Sequence, residues 1–389
     1  MEKLITSHNL EGIALIDHHC HGVVEHQLSR PEFELMITES HWGAIAGTTI
    51  FDSQLGFAIR RWCAPVLGLE PFISAEEYIS HRNEMDPAHV NELFLQQSEI
   101  SHYLIETGHL GTQILSPSEM AHSSGREALT VIRLESIAEH VISTLYKSSD
   151  FVPAFRRELK KQLSSAVAVK SIAAYRIGLD FKPERPSDTE VTMAVNDWLS
   201  ALKESGASPR LDDETIIRFG LWCAVDEQIP IQFHIGFGDP DIELDKCNPV
   251  LLTPFLNLTR TLGSNIMLLH CYPYHREAGY LAHAFPHVYC DIGLAINYVG
   301  ARSQNLIAES LELAPFDKIL FSTDAWGLPE LYYLGSLLFK RGLINTLNEW
   351  IESGEWCTDD AIKVIHKIFH FNAERAYQLD QKTQRIVSS

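Results

Sequence analysis

Ile13-Ala14-Leu15-Ile16-Asp17-His18-His19-Cys20-His21-Gly22 reads as a short buried strand that ends in histidines. Side chains alternate faces along a strand, so His19 and His21 are expected on one side and His18 and Cys20 on the other. Two imidazoles on one rigid support can share a metal ion. A lone pair at this spacing is more often a hydrogen-bonding feature, so its meaning depends on what the rest of the chain places beside it.

Further apolar runs rich in Val, Ile, Leu and Phe follow the first one, at 101–107, 129–134, 165–172, 230–234, 265–270, 287–292 and 318–322. With 13–20 they make eight, and amphipathic stretches at 212–226, 248–262 and 330–350 have the character of crossover helices. The alternation predicts an α/β chain, and eight strands favour closure into a (β/α)8 TIM barrel over an open sheet. Such a barrel takes roughly 250 residues, so the 389 residues are read as one domain, 1–389, carrying an insertion. The mainly helical segment 24–99 breaks the rhythm after strand one. It mixes Phe51, Phe57, Arg60, Arg61, Trp62 and Pro65, and is expected to cover the barrel mouth as a lid, or else to serve as a dimerisation arm.

Three more strand ends carry chemistry. Gln232-Phe233-His234-Ile235-Gly236-Phe237-Gly238-Asp239 ends in His and opens into a glycine-rich loop; Met267-Leu268-Leu269-His270-Cys271-Tyr272-Pro273 repeats the design; Ile319-Leu320-Phe321-Ser322-Thr323-Asp324 ends in a carboxylate. Each would sit at the carboxyl end of a different barrel strand, where that fold converges its functional side chains. His19, His21, His234 and Asp324 are therefore the expected ligands of a divalent metal, Zn²⁺ by donor type, with an open position for water whose pKa would fall toward about 7. Asp324 is the expected proton acceptor, and His270 the group that polarises a carbonyl or orients the water. The alternative, four strand-end polar residues meeting without an ion, leaves an expensive constellation unpaired.

With those residues in view, the chain resembles the amidohydrolase superfamily, and more closely the amidohydrolase-like domain of FluG and of plant nodulin/glutamine synthetase fusions. The resemblance runs over about 13–379 and rests on Lys170-Ser171-Ile172-Ala173-Ala174-Tyr175-Arg176, on the His234 to Asp239 motif, and on Phe321-Ser322-Thr323-Asp324 followed by Pro329-Glu330-Leu331-Tyr332-Tyr333-Leu334-Gly335. It implies a divalent metal and hydrolysis of a C–N bond. In the two-metal proteins it resembles, a carboxylated lysine on strand four bridges the ions and the strand-five and strand-six histidines hold the second. Lys170 and His270 could supply that arrangement here, giving two ions in place of one; Lys170 could also bind a substrate carboxylate or pair with Glu135. No glutamine synthetase domain is present in the sequence, so a fused synthetase is not expected.

Arg176 could grip a substrate carboxylate through two parallel hydrogen bonds, or serve as a structural ion pair. Tyr175, Arg60 and Arg61 are further candidates for substrate contact, with Arg276 weaker; Trp62 and Trp326 could line the pocket or simply pack. Glu135 is read as the partner of Arg133, and Asp239 as a support of its loop or a contact to a substrate amine. The leading function is hydrolysis of an amide in a small, carboxylate-bearing substrate, a γ-glutamyl amide being the specific candidate. A metal-dependent decarboxylase of a small aromatic acid and a catalytically silent regulatory barrel are the alternatives.

Composition narrows the partners. A formal net charge of −20 with scattered Lys and Arg would repel a phosphate backbone, so no nucleic acid is expected. Met1 to Leu10 lacks a basic start and an apolar run, and nowhere do about 18 apolar residues run unbroken; a cytoplasmic address away from membranes follows as an expectation. The seven cysteines show no C-x-x-C pair and are expected mostly as reduced core thiols. The sequence does not fix the oligomeric state, although barrels of this sort often pair and symmetric dimers are the commonest assembly.

Overall fold

The computed structural model describes residues 3–6 and 12–380. Met1, Glu2 and residues 7–11, most of the stretch read above for a targeting signal, lie outside it, as do residues 381–389. Seven of the eight apolar runs form one parallel sheet in chain order: β1 (Leu15–Cys20), β2 (Ile100–Glu106), β3 (Glu127–Arg133), β4 (Ala166–Ser171), β5 (Ile231–His234), β6 (Ile266–Leu269) and β7 (Val288–Cys290). Every residue of β4, β5 and β6 is buried, as strands covered on both faces require. One face packs against the helices. The other, with Ile16, Leu104, Val131, Ala168, Met267 and Leu320, encloses a second apolar cluster closed by Tyr377.

The eighth run, 318–322, is not a regular strand. Ile319 forms a single parallel bridge with Cys290 of β7, and the Leu320 N–H donates to the Cys290 carbonyl at 2.9 Å. The chain then turns to the other edge of the sheet. The His18 N–H donates to Phe321 O (3.1 Å), the Asp324 N–H to His19 O (3.1 Å) and the His21 N–H to Ala325 O (2.9 Å). Segment 319–325 thus touches β7 and β1 in succession, and the left-handed backbone of Asp324, φ +49°, prevents an extended ladder.

β1 is irregular as well. Its pairing with β2 shifts register between Asp17 and Cys20, which breaks the simple alternation: Cys20 enters the main core, whereas His18 reaches Tyr377 and Asp291. Six of the seven cysteines are buried. No helix among the described residues is long and apolar enough to cross a membrane.

Between β1 and β2 run the helices Arg30–Leu35, Gln54–Ala58, Ala75–Glu84 and Pro87–Gln97. Ser29 and Ser74 open two of them with capping boxes, each Ser side chain accepting from the N–H three residues on while Glu32 or Glu77 reaches back. This segment is tied to the long helix Pro329–Glu352 by a buried ion pair. Arg82 Nε donates to Glu330 Oε1 at 2.6 Å and Tyr78 Oη to the same oxygen at 3.1 Å, with Arg82 4% and Glu330 0% exposed. Replacing one partner leaves the other charge buried and alone, so Arg82→Met should lower stability by about 3–5 kcal/mol in chemical unfolding, and Arg82→Met with Glu330→Gln should recover much of that. Equal losses in single and double variants would show that the charge pairing is not what holds the segment.

Candidate active site

The strand ends do converge. His19 Nε2 lies 3.0 Å from Asp324 Oδ1, His21 Nε2 3.6 Å from the same oxygen, and His270 Nδ1 3.3 Å from Asp324 Oδ2. Ligand atoms of His19, His270 and Asp324 all fall within 4.8 Å of one another. His234 stands one ring farther out, its centroid 4.6 Å from that of His270 and 4.5 Å from Tyr175. Lys170 Nζ approaches His19 Nε2 at 3.2 Å. The tight group is therefore His19, His270 and Asp324 with His21 alongside, and His234 flanks it.

A buried polar network sets the orientation of these rings. Gln232 donates through Nε2 to His18 O (2.8 Å) and Tyr377 Oη (2.9 Å), which turns its Oε1 toward His19 Nδ1 at 2.8 Å. An amide oxygen only accepts, so His19 carries its proton on Nδ1 and presents a bare lone pair at Nε2. His18 spans Tyr377 Oη (2.8 Å) and Asp291 Oδ2 (2.9 Å). Asp291 Oδ1 accepts from the N–H groups of His270 and Gly293 and from Ser322 Oγ. On the other flank His21 Nδ1 meets Glu106 O at 3.2 Å, and Glu106 takes two bonds from Arg133, Nε at 3.1 Å and Nη2 at 2.6 Å. His270 and Asp324 both hold left-handed backbone, φ +69° and +49°, a conformation that costs a non-glycine residue about 1–2 kcal/mol and concentrates at functional sites. Gly236 is left-handed too, at φ +71°, and is required on a second ground: a Cβ there would come within 2.2 Å of Tyr272 O.

Burial pushes His19 down to about 4 and His234 to about 3, with the Lys170 ammonium adding to both, and holds His270 well below its usual value. Burial also raises a carboxylate, but His270, His19 and His21 outweigh it at Asp324 and keep that group well below the usual range. His19, His234 and His270 are thus held toward the neutral form around an anionic Asp324. His19 Nε2 and Asp324 Oδ1, both acceptors, face each other at 3.0 Å, and His234 Nε2 and both ring nitrogens of His270 are buried without a protein hydrogen bond. These His234 and His270 nitrogens lack a protein partner and His19 Nε2 has Lys170 Nζ as its donor, at 3.2 Å; imidazoles gathered at a carboxylate are a donor set that fits a divalent cation.

A cavity of about 200 Å³ opens over the cluster, lined among others by Lys170, Tyr175, Arg176, Asp239 and Trp326. Arg176 touches Glu139 at 3.5 Å while its Nε and Nη1 are buried without partners. Glu39, His109 and Arg210, which sequence reasoning missed, line it too. Burial raises Glu39 to about 7, and Tyr298 Oη donates to it at 2.9 Å. Other expected contacts lie elsewhere. Arg60 donates to the carbonyls of Ile73 and Phe72, Arg61 stacks on Trp62, and Arg276 pairs with Glu312; none of these four residues lines the cavity. Glu135 accepts from Ser171 Oγ and the Ile172 N–H, not from Lys170 or Arg133.

An amidohydrolase family model matches residues 151–379. Protein fluG of Emericella nidulans is 30% identical over 283 residues, 65% of this chain and 32% of that protein, so the chain matches about a third of fluG. A candidate metal-dependent hydrolase from Lactobacillus casei ATCC 334 superposes with a TM-score of 0.82 at 27% identity, covering 97% of this chain and 98% of that one. A uronate isomerase from Bacillus halodurans C-125 superposes with a TM-score of 0.61 at 13% identity over 95% and 94% of the two chains, a similarity of fold alone.

Because the Gln232 amide and the Glu106 carboxylate, whose Oε2 lies 3.5 Å from His21 Nδ1, face imidazoles without reaching the cation position themselves, Gln232→Leu and Glu106→Gln should each weaken divalent-metal affinity about 10–100-fold in chelator competition while leaving circular dichroism unchanged. Unaltered affinity in both would show that the network does not tune the site.

Proposed function

The chain belongs to the amidohydrolase family, and from that premise we propose that it is a metal-dependent hydrolase cleaving the amide bond of a small, carboxylate-bearing substrate, with a γ-glutamyl amide as the favoured class. The reading takes the scaffold as a (β/α)8 barrel in which segment 319–325 serves as the eighth strand and 24–99 as a lid over the mouth. His19, His21 and Asp324, with His270 or His234, would hold the ion, zinc in this reading; a second ion would require a carboxylated Lys170. The observation that carries it is the contact of two acceptors, His19 Nε2 and Asp324 Oδ1, at 3.0 Å.

When bound, the ion supplies Lewis acidity toward water and the substrate carbonyl. The chain's own groups do the rest. Asp324, held anionic, takes the proton of the attacking water at its carboxylate and returns it to the departing nitrogen. His270 steadies the carbonyl oxygen as charge develops there. Arg176, with two donor atoms unpaired in the cavity wall, grips the substrate carboxylate as a fork. Burial brings Lys170 down to about 8, which makes the neutral amine needed for carboxylation accessible near neutral pH.

The decisive assay offers γ-glutamyl amides and matched neutral amides in ¹⁸O-labelled water. Label in the product acid and loss of about 10²–10⁴-fold in kcat for Asp324→Asn support the reading; release of CO₂ from an aromatic acid with no amide turnover would replace it with decarboxylation. Arg176→Ala should reduce kcat/KM for acidic substrates by more than for neutral ones, and equal losses would make Arg176 structural. Lys170→Ala should lower a metal count of two to one if the lysine bridges, and an unchanged count would remove that role.

A further inference from the structure

Arg61, Trp62 and Phe57, prominent in the sequence but absent from the metal cavity, line a second cavity of about 440 Å³ with Phe72, Leu338 and Arg341. The two cavities share no lining residue. The guanidinium carbons of Arg61 and Arg341 each lie 4.2 Å from the centroid of the Trp62 ring, so they are at most twice that distance apart. Arg61 also stands 5.3 Å from Phe72. Phe57 and Phe72, 52% and 62% exposed, leave apolar area open beside the two cations.

Charge makes this arrangement unusual. In a chain with a formal net charge of −20, no Asp or Glu lines the cavity, and no ion pair involving Arg61 or Arg341 occurs among the described residues. The indole face attracts each guanidinium, yet the two like charges repel and their donor forks are unfilled. Carboxylate and phosphate match such forks, and an aromatic body matches the flanking rings.

We propose that this cavity is a second binding site, separate from the metal centre, for a small organic anion: a carboxylate or phosphate carried on an aromatic body. The inference stands apart from the hydrolase reading, because none of its residues touches the metal cluster. Isothermal titration of the whole chain with 1-naphthoate, 1-naphthyl phosphate and neutral 1-naphthamide tests it. At least one anion should bind once per chain, about tenfold or more tighter than the amide, and the better of the two identifies the anionic group. Arg61→Gln and Arg341→Gln, both at solvent-accessible positions, should each weaken that anion about tenfold or more, with an unchanged thermal melt, whereas Arg176→Gln in the metal cavity should leave it unaltered. Equal affinity for the amide, no binding of either anion at millimolar concentration, or sensitivity to Arg176 in place of Arg61 would overturn the proposal. So would sedimentation showing that Arg61→Gln dissociates an oligomer, which would give the surface to a second copy of the chain.

Discussion

A glutamine amide decides the chemistry of this site. Gln232 sits in a four-residue strand of otherwise apolar neighbours and His234, and its nitrogen is committed to the carbonyl of His18 and the hydroxyl of Tyr377. A carbonyl cannot donate, so the amide cannot flip; its oxygen must face His19 Nδ1, and the proton of His19 must be there. Everything at the cluster follows from that one fixed tautomer. The opposite nitrogen is a lone pair pressed toward a carboxylate, with Lys170 Nζ 3.2 Å away, and a cation held among these groups makes the contact favourable.

The rest of the fold holds the two acceptors in place against their mutual repulsion. His19 and Asp324 come from opposite ends of the chain, and the bond from the Asp324 N–H to the His19 carbonyl binds their backbones together. Asp17 accepts from the N–H and hydroxyl of Thr323, tying the residue before one acceptor to the strand before the other. Asp291 collects His18, His270, Gly293 and Ser322, so one carboxylate positions three of the segments that form the cluster. A polar interior this connected is costly to leave half satisfied, and it specifies one arrangement of its members.

Legibility in the sequence tracks how regular the carrying element is. His19, His21, His234, His270 and Asp324 each end an apolar run, so strand periodicity and a barrel's habit of converging its strand ends placed them at one end of the sheet. They did not decide which histidines stand against Asp324: His270 joins the tight group and His234, expected there, flanks it. The periodicity failed where the backbone departs from a strand: within β1, whose register shift sends His18 and Cys20 to different surroundings, and in 319–325, where the left-handed Asp324 breaks the ladder. Gln232 was hidden because it reads as one polar residue in a short strand; its place two before His234, on the same face, was the available signal. Glu39, His109 and Arg210 come from loops and helix-rich segments whose course no periodicity predicts. Arg60, Arg61 and Trp62 were misplaced for the same reason. Neighbourhood in the chain suggested the barrel mouth, but Arg60 caps the carbonyls of Phe72 and Ile73 and turns that stretch toward the helix Pro329–Glu352.

The metal centre depends on one contact, that of His19 Nε2 with Asp324. Anomalous diffraction at the zinc edge, from crystals grown with zinc at neutral pH, addresses it directly. A peak about 2.0–2.2 Å from both His19 Nε2 and a carboxylate oxygen of Asp324 is the predicted result. A map without a peak there, with the two atoms still about 3 Å apart in the zinc-grown crystals, would contradict the claim.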